Sequence, residues 1–123
     1  MTSQKFSAEF KTGIINAGKN ELINLTDETA ETIEEYGSCN RVVVQNNHTT
    51  ITISVNINCW VHADDSVGEW GNSRTILLPP QCVLELEPAD NCPAYNIVVH
   101  NEDGADNLAA GDIIIKADNM WWK

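Results

Sequence analysis

Basic residues are scarce in this chain: seven Lys and Arg stand against 18 Asp and Glu in 123 residues, a formal net charge of −11. Proteins that bind nucleic acid rely on clustered Lys and Arg to displace counterions from the phosphates. The charge balance therefore argues against nucleic acid as a partner. Attraction to anionic lipids also requires basic residues, so the same balance argues against an anionic membrane surface.

Long apolar runs are missing as well. No segment reaches the roughly 18–20 consecutive apolar residues of a membrane-spanning helix, and the first residues lack the basic and apolar regions of a secretory signal. We therefore expect a protein made in the cytoplasm without a membrane partner. Hydrophobic residues still make up 42% of the chain, which is enough for a core, and the length predicts one domain over residues 1–123.

A CxxC motif is missing: the four cysteines, Cys39, Cys59, Cys82 and Cys92, are widely spaced. Four cysteines allow three disulfide connectivities, and a disulfide pair is one interpretation. A reducing cytoplasm favours the other, in which the thiols are free and face the core.

Motifs for catalysis or for transition metals are also absent. The three histidines are His48, His62 and His100, and no Gly-x-Ser-x-Gly motif accompanies them. Their spacing from the cysteines matches neither a zinc site nor a blue-copper site. We therefore expect no enzyme activity, no cofactor and no metal ion, with His48 and His100 as solvated polar residues.

Two acidic loops supply the oxygen ligands that calcium prefers. One contains Asp64 and Asp65 with Glu69 nearby, and the other covers residues 101–106. Neither matches an EF-hand loop. Solvated acidic turns on an acidic protein are the simpler interpretation, and calcium is the alternative.

The clearest pattern is the strict alternation of apolar and polar residues from Ile51 to Val61. Period two over that length predicts a strand with one buried face and one face in water. The β-branched run 41–46 precedes it, and the turn-prone Asn46-Asn47-His48 lies between. We therefore predict a β-hairpin formed by these two strands.

Further short strands are predicted at 10–15, 21–25, 75–78, 82–87, 95–100 and 111–116. Short strands separated by turn signals are typical of an all-β fold, and we predict a single antiparallel β-sandwich of the jelly-roll or immunoglobulin-like type. Residues 27–36 follow a capping Thr26 and precede Gly37, which predicts one short helix, with a β-arch as the alternative.

Four tryptophans and one methionine are the predicted contact residues: Trp60, Trp70, Met120, Trp121 and Trp122. Exposed aromatic side chains beside polar loops can stack on sugars. Aromatic and Met side chains are also enriched in the cores of protein interfaces. Of the two hypotheses, we favour protein contact over sugar binding. Because a terminal Met-Trp-Trp is costly to leave in water, we expect it to dock on its own sheet, on a symmetry mate or on another protein.

Four segments resemble the small acidic β-sandwich decoration (cement) proteins of tailed bacteriophages. These are RVVVQNN (41–47), TILLPPQCVLELEP (75–88), NIVVHN (96–101) and AAGDIIIKA (109–117). The likeness is one of pattern and spans residues 38–118. It implies a non-enzymatic structural protein that is made in the host cytoplasm and located on the virion, where it binds the outer surface of the capsid. Such proteins act as dimers or trimers that bridge subunits of the major capsid protein.

Residue roles do not follow from this resemblance, because the family has no shared catalytic or ligand set. Our first hypothesis is thus a capsid-stabilising decoration protein with residues 1–15 and 117–123 as contact arms. The alternative is a carbohydrate-binding module that uses Trp60 and Trp70 with the Asp64-Asp65 loop, with calcium as an optional ligand.

Overall fold

The computed structural model describes residues 2–25, 41–86, 94 and 96–122, with the backbone alone for 2–8, 72 and 118–122. Most of these residues belong to eight strands: β1 (Thr2–Lys11), β2 (Asn20–Asn24), β3 (Arg41–Asn46), β4 (Ile53–Val61), β5 (Val67–Leu78), β6 (Val83–Leu86), β7 (Asn96–Asn101) and β8 (Ile113–Trp122). The predicted short helix at 27–36 lies outside the described residues.

The strands form two antiparallel four-stranded sheets. The first sheet has the order β1-β8-β3-β6 and the second has the order β2-β7-β4-β5. Strands β1 to β4 alternate between the sheets, and the whole order is that of an eight-stranded jelly roll. The predicted all-β sandwich is therefore confirmed, and its strand order is not that of the immunoglobulin fold.

The predicted hairpin between β3 and β4 is wrong, because the two strands belong to different sheets. The chain crosses between the sheets after Asn46, whose buried side chain holds the crossing. Asn46 Nδ2 donates to the carbonyl oxygens of Ile51 at 2.9 Å and Leu78 at 3.2 Å. Its Oδ1 accepts from the backbone N–H of His48 at 3.1 Å. Turn-prone residues predict a reversal, but they do not specify whether the next strand returns to the same sheet.

The inner faces of the two sheets bury a core that is almost entirely aliphatic. The largest fully buried side chains are Ile15, Leu25, Ile51, Ile53, Ile57, Ile97, Leu108, Ile113 and Ile115. Burying each such side chain contributes about 1.5–3 kcal/mol relative to leaving it in water. This core is what fixes the two sheets against each other.

The alternation in β4 predicts its inner face correctly but not its outer face. Ser54 and Asn56, which we expected in water, are only 6% and 5% exposed. Asn56 Nδ2 donates to the carbonyl oxygen of Val98 at 3.1 Å, and Asn56 Oδ1 accepts from Thr75 Oγ1 at 2.9 Å. Val98, opposite Asn56 on β7, is also fully buried. The outer face of the second sheet is therefore covered around this pair.

The two segments predicted as contact arms contain strands that pair with each other. β1 is antiparallel to β8, with Lys11 opposite Ile114 at one end and Thr2 opposite Trp122 at the other. β8 also pairs with β3, but only as far as Asp118. Within the described residues, the end of β8 after Asp118 thus pairs with β1 alone, as a two-stranded ribbon. Contact between this ribbon and a partner stays a prediction.

Candidate functional site

A large β-bulge interrupts the hairpin formed by β4 and β5. Ile57 is opposite Arg74, but the next pair is Cys59 opposite Glu69, so the single residue Asn58 faces the four residues 70–73. Asn58 has a positive φ of 57°. A bulge of this kind bends the strand that carries it. The hairpin therefore changes direction at Asn58.

Ser73 braces the bulge from inside. Its hydroxyl donates to the carbonyl oxygen of Asn58 at 2.5 Å and accepts from the backbone N–H of Trp70 at 2.8 Å. One side chain thus joins both sides of the bulge. Because Trp70 is the first bulge residue, this brace also fixes the backbone from which its side chain projects.

The turn at the end of the hairpin is closed by its own polar groups. Asp65 N–H donates to the carbonyl oxygen of His62 at 3.0 Å, and His62 N–H donates to that of Ser66 at 2.8 Å. Asp64 Oδ1 accepts from the Ser66 hydroxyl at 2.6 Å and from its N–H at 3.1 Å. These bonds, the hydroxyl first, lower the pKa of the Asp64 carboxyl. Asp64 is therefore held as an ionised carboxylate.

The end of the hairpin reaches back over its own sheet to β2. Asp65 Oδ2 lies 3.2 Å from Lys19 Nζ, and Asn20 Nδ2 donates to the Asp65 carbonyl oxygen. In the sheet, β7 lies between β2 and β4. Asn20 is aligned through His100 with Ser54, near the start of β4. The tip therefore lies back across the outer face, which accounts for the covered polar side of β4.

Trp60, His62 and Trp70 form an aromatic cluster on this hairpin. The Trp60 and Trp70 ring centroids are 4.4 Å apart with the planes inclined at 49°, and the His62 ring meets Trp60 edge-on at 5.5 Å. Trp60 Nε1 donates to His62 Nδ1 at 3.4 Å. Trp60 is partly buried, whereas Trp70 is 55% exposed. The cluster thus presents Trp70 to solvent.

Gly68 gives Trp60 its position. The two residues are paired across the hairpin, and a β-carbon at position 68 would lie 2.2 Å from Trp60 Cε2. The indole ring therefore lies directly on the glycine backbone. Packing an aromatic ring on a cross-strand glycine covers backbone that would otherwise be bare.

A shallow, open depression lies beside the cluster. It has a volume of about 440 Å³ and is lined by His62, Ala63, Asp64 and Ser66. Its polar groups are a carboxylate, a hydroxyl and an imidazole, of which the carboxylate already accepts both bonds from Ser66. The depression can therefore take a small polar or cationic group, but it does not enclose one.

The other predicted contact residues lie in the first sheet. Met120 is opposite Lys5 in the β1–β8 pair, Trp122 is opposite Thr2, and Trp121 lies between them on β8. The structure thus brings Trp60 and Trp70 together and places the terminal aromatic residues in a different sheet. The Trp60–Trp70 contact depends on the register of the hairpin. Two tryptophans that flank a loop suggest that the strands pair, but they do not specify this register.

A polar cluster that sequence reasoning missed lies on the second sheet. His100 Nδ1 is 2.5 Å from Asn20 Oδ1, and His100 Nε2 is 3.9 Å from Glu102 Oε1. Ser54 Oγ donates to the same Glu102 oxygen. The carboxylate thus stands between the hydroxyl and the imidazole, whereas activation of a serine needs the imidazole in the middle. The arrangement fits an anchor for the strands better than a nucleophile.

His48 is also structural rather than merely solvated. Its Nδ1 accepts from the backbone N–H groups of Thr50 and Ile51, each at 3.0 Å. The ring is therefore part of the loop that carries the chain from β3 to β4. His48 and His100 are both partly exposed, so each combines the expected contact with solvent with hydrogen bonds inside the protein.

The acidic loops use their carboxylates to close their own turns. Asp103 Oδ1 accepts from Ala105 N–H at 2.7 Å and Asp106 N–H at 2.9 Å. These bonds, the one from Asp106 first, lower the Asp103 pKa. Within the described residues, no three His, Cys, Asp or Glu side chains are grouped as metal ligands.

Two of the four cysteines can be placed. Cys59 and Cys82 are both free thiols; Cys59 is buried and Cys82 is exposed. Burial raises the pKa of the Cys59 thiol. The prediction of a core-facing thiol is therefore right for Cys59 and wrong for Cys82, which lies just before β6. Cys39 and Cys92 lie outside the described residues.

Comparisons with known proteins add no relative: no family model matches the chain, and no curated protein matches it either.

In the part of the chain that the structure describes, no helix has both the length and the apolar character needed to cross a membrane.

Proposed function

We propose that this protein is a non-enzymatic structural protein that binds the outer surface of a viral capsid and stabilises it. The observation that carries the proposal is an exposed Trp70 held on a braced, folded-back hairpin. Tryptophan is enriched among residues that dominate binding energy at protein interfaces. A side chain that is already positioned loses less conformational freedom when a partner binds.

The fold is compatible with this role without selecting it. Jelly rolls occur in viral capsid proteins and in lectins, among other proteins, and one fold serves many functions. The sequence pattern that resembles phage decoration proteins favours a capsid role over a lectin role. The partner under this proposal is the major capsid protein, and the protein acts on the virion as a dimer or trimer.

The β1–β8 ribbon is the second proposed contact. It carries Met120, Trp121 and Trp122 beyond the part of the sheet that β3 covers. Contacts from two surfaces of one small protein reinforce each other, because the second forms at the high effective concentration set by the first. Many such copies on a shell raise the barrier to rupture by summing modest contacts.

Reconstitution on heads tests the proposal. Heads of the virus that encodes the protein are stripped of it, mixed with purified protein and sedimented, and the temperature of DNA release is recorded with a dye. We expect co-sedimentation and a higher release temperature. Trp70→Ala should weaken binding at least tenfold, the scale of one interface hot spot. No co-sedimentation of the wild-type protein would overturn the proposal.

Val83→Thr is the matched control for Trp70→Ala. Val83 is 59% exposed, close to the exposure of Trp70, but lies on β6 in the first sheet. Removing its apolar surface should leave head binding unchanged. Deletion of residues 119–123 tests the ribbon separately, since unchanged association after this deletion would remove the terminal aromatic residues from the contact.

A carbohydrate-binding module is the second candidate, favoured by the polar depression next to the tryptophan pair. His62 and Ser66, which line the depression, offer an imidazole and a hydroxyl group to a sugar, and Trp60 links His62 to the exposed Trp70. A glycan array, run with calcium and with EDTA, tests this function. Binding that Trp70→Ala abolishes would support it, and a flat array would count against it.

A further inference from the structure

His100 lies on the outer face of the second sheet with an oxygen atom close to each of its ring nitrogens. It is opposite Asn20 of β2 on one side and Ser54 of β4 on the other. Asn20 Oδ1 is 2.5 Å from Nδ1, and Glu102 Oε1 is 3.9 Å from Nε2. A neutral imidazole has one N–H group and one lone pair in its ring plane, whereas the imidazolium ion has two N–H groups. Only the imidazolium ion can therefore present a donor to both oxygens.

The hairpin tip, residues 62–66, fixes the orientation of the Asn20 amide. Asn20 Nδ2 donates to the backbone carbonyl oxygen of Asp65. Because a carbonyl oxygen only accepts hydrogen bonds, the NH₂ group of Asn20 has to face Asp65 and its Oδ1 has to face His100. The hydrogen bond that Asn20 makes to the tip therefore requires a proton on His100 Nδ1.

Glu102 favours a proton on the other ring nitrogen. Its carboxylate is held beside Nε2 by Ser54, whose hydroxyl donates to Glu102 Oε1. In a neutral ring with the proton on Nδ1, the Nε2 lone pair faces this carboxylate. With the proton on Nε2, the Nδ1 lone pair faces Asn20 Oδ1, so the amide has to turn away from Asp65. A neutral His100 therefore satisfies one contact at the expense of the other, and protonation satisfies both.

The other titratable groups described near His100 bond to other partners. On the neighbouring segments these groups and their partners are Lys19 with Asp65, Glu21 with Gly13, Asp64 with Ser66, Asp103 with Ala105 and Asp106, His48 with Thr50 and Ile51, and His62 with Trp60. Among these residue types, only histidine normally changes charge between about pH 5 and pH 8. Within the described residues, His100 is the histidine bonded to Asn20, so it is the group that connects this pH range to the tip.

We propose that His100 is a pH-sensitive switch for the hairpin tip. Its protonation holds the Asn20 amide against Asp65 and so holds the tip on the outer face, and its deprotonation loosens the tip. Because the bound proton stabilises the closed tip, this contribution is present at acid pH and is lost as the pH rises through the range in which histidine titrates. The tip ends the hairpin that carries Trp60 and Trp70, so the switch controls how firmly that aromatic cluster is held. It operates whatever the partner of the protein is.

Hydrogen exchange at the tip tests the switch. Exchange of the backbone amides of residues 62–66 is measured at about pH 5 and about pH 8, and the rates are converted to protection factors, which removes the intrinsic pH dependence of exchange. We expect protection to be about three- to tenfold higher at the lower pH, the effect of one ordinary hydrogen bond on an opening equilibrium. Equal protection at the two pH values, or higher protection at the higher pH, would overturn the inference.

Three substitutions to glutamine identify the group that responds to pH. His100→Gln should abolish the difference between the two pH values, because glutamine does not gain a proton. His62→Gln, which removes the histidine of the tip itself, should leave the difference in place. Lys19→Gln should lower protection at both pH values and keep their ratio, because lysine and aspartate do not normally titrate between about pH 5 and pH 8. A difference that survives His100→Gln, or that disappears in His62→Gln, would overturn the switch.

Asn20→Ala separates the switch from a merely structural histidine, because it removes the link between the ring and the tip and leaves His100 in place. Long-range ¹H–¹⁵N NMR spectra of the ring show which of its nitrogens carry protons. We expect N–H groups on both nitrogens of wild-type His100 at the lower pH. In Asn20→Ala, His100 should still titrate while protection of the tip no longer changes with pH. A wild-type ring that stays neutral at the lower pH, or a tip that still follows the pH in Asn20→Ala, would overturn the inference.

Discussion

Lys19 and Asp65 form an ion pair, 3.2 Å long, that joins the start of β2 to the tip of the β4–β5 hairpin across the intervening strand β7. Asn20 adds a hydrogen bond to the Asp65 backbone. The pair marks where the hairpin lies back on its own sheet. Around it, Ser54, Asn56 and Val98 are buried on a face that would otherwise be in water.

Removing the ion pair should loosen the tip without unfolding the protein. Both side chains are more than half exposed, so Lys19→Gln or Asp65→Asn should lower the free energy of unfolding by less than about 1 kcal/mol. Hydrogen exchange in residues 62–66 should become faster, because the tip opens locally more often. A double-mutant cycle on the two residues measures the coupling energy between them. Unchanged hydrogen exchange at the tip would show that the ion pair does not hold the tip on the sheet.

Gly68→Ala should disrupt the aromatic cluster. The new methyl group would lie 2.2 Å from Trp60 Cε2, so the ring has to move away from Trp70 and His62. We expect a loss of about 1–3 kcal/mol, the usual cost of overpacking, and a shift in tryptophan fluorescence. Chemical denaturation followed by fluorescence measures both.

Gly71→Ala is the control for that substitution. Nothing lies within 4 Å of a β-carbon at position 71, although the residue belongs to the same bulge. Its effect on stability should stay within about 0.5 kcal/mol, as for most surface changes. Equal destabilisation by both alanines would mean that the bulge backbone, rather than the Trp60 contact, requires glycine.

Asn46→Ala should be strongly destabilising. The side-chain amide donates to the carbonyl oxygens of Ile51, Leu78 and Pro79 where the chain changes sheets. Alanine leaves buried acceptors without a donor, at a cost of about 3 kcal/mol. Asn47→Ala, at the exposed neighbouring position, should change stability by less than about 0.5 kcal/mol. Thermal and urea unfolding of the two variants measures the difference.

Acid should remove a contribution from Asp103. Its pKa in the folded protein is lowered by bonds from Asp106 and Ala105, so its ionised form stabilises the fold above the unfolded pKa of about 3.9. That contribution is lost as the pH falls through the lower folded pKa. Asp103→Asn keeps an acceptor oxygen but does not titrate. The melting temperatures of wild type and variant should therefore converge on acidification, and a constant difference would contradict this assignment.

The two placed cysteines should differ in reactivity. Cys82 is exposed, whereas burial both shields Cys59 and raises its pKa, and only the thiolate is alkylated readily. Iodoacetamide should therefore label Cys82 in the native protein, and Cys59 only after unfolding. Peptide mass spectrometry reports each residue separately. Rapid native labelling of Cys59 would show that the hairpin opens at the bulge.

Local patterns in the sequence identified the segments in which most strands lie, but not all of their bounds. Period-two alternation predicts the inner face of β4, and the β-branched runs predict β3 and β7 within a few residues. These predictions succeed because a strand's own residues decide which of its faces is apolar. The bounds are wrong for three strands: the one predicted at 10–15 is β1 (Thr2–Lys11), the one predicted at 75–78 begins at Val67, and the one predicted at 111–116 ends at Trp122. The choice of an all-β sandwich follows from the number and spacing of such segments.

The pairing of the strands was decided only by the tertiary structure. The residues of β3 and β4 are compatible with a hairpin and equally with a crossing between sheets. The hydrogen bond from the Asn46 side chain to the carbonyl oxygen of Leu78, which is distant in sequence, favours the crossing. The contact of Trp60 with Trp70 likewise depends on the bulge at Asn58. The burial of Asn56 depends on the hairpin tip, which folds back to Lys19. Such contacts join residues distant in sequence, so local propensity carries no information about them. The sequence by itself determined the segments in which most strands lie and the apolar inner face of β4, because both depend on neighbouring residues; packing between distant segments decided the bounds and the sheet of each strand and the place of the exposed tryptophan.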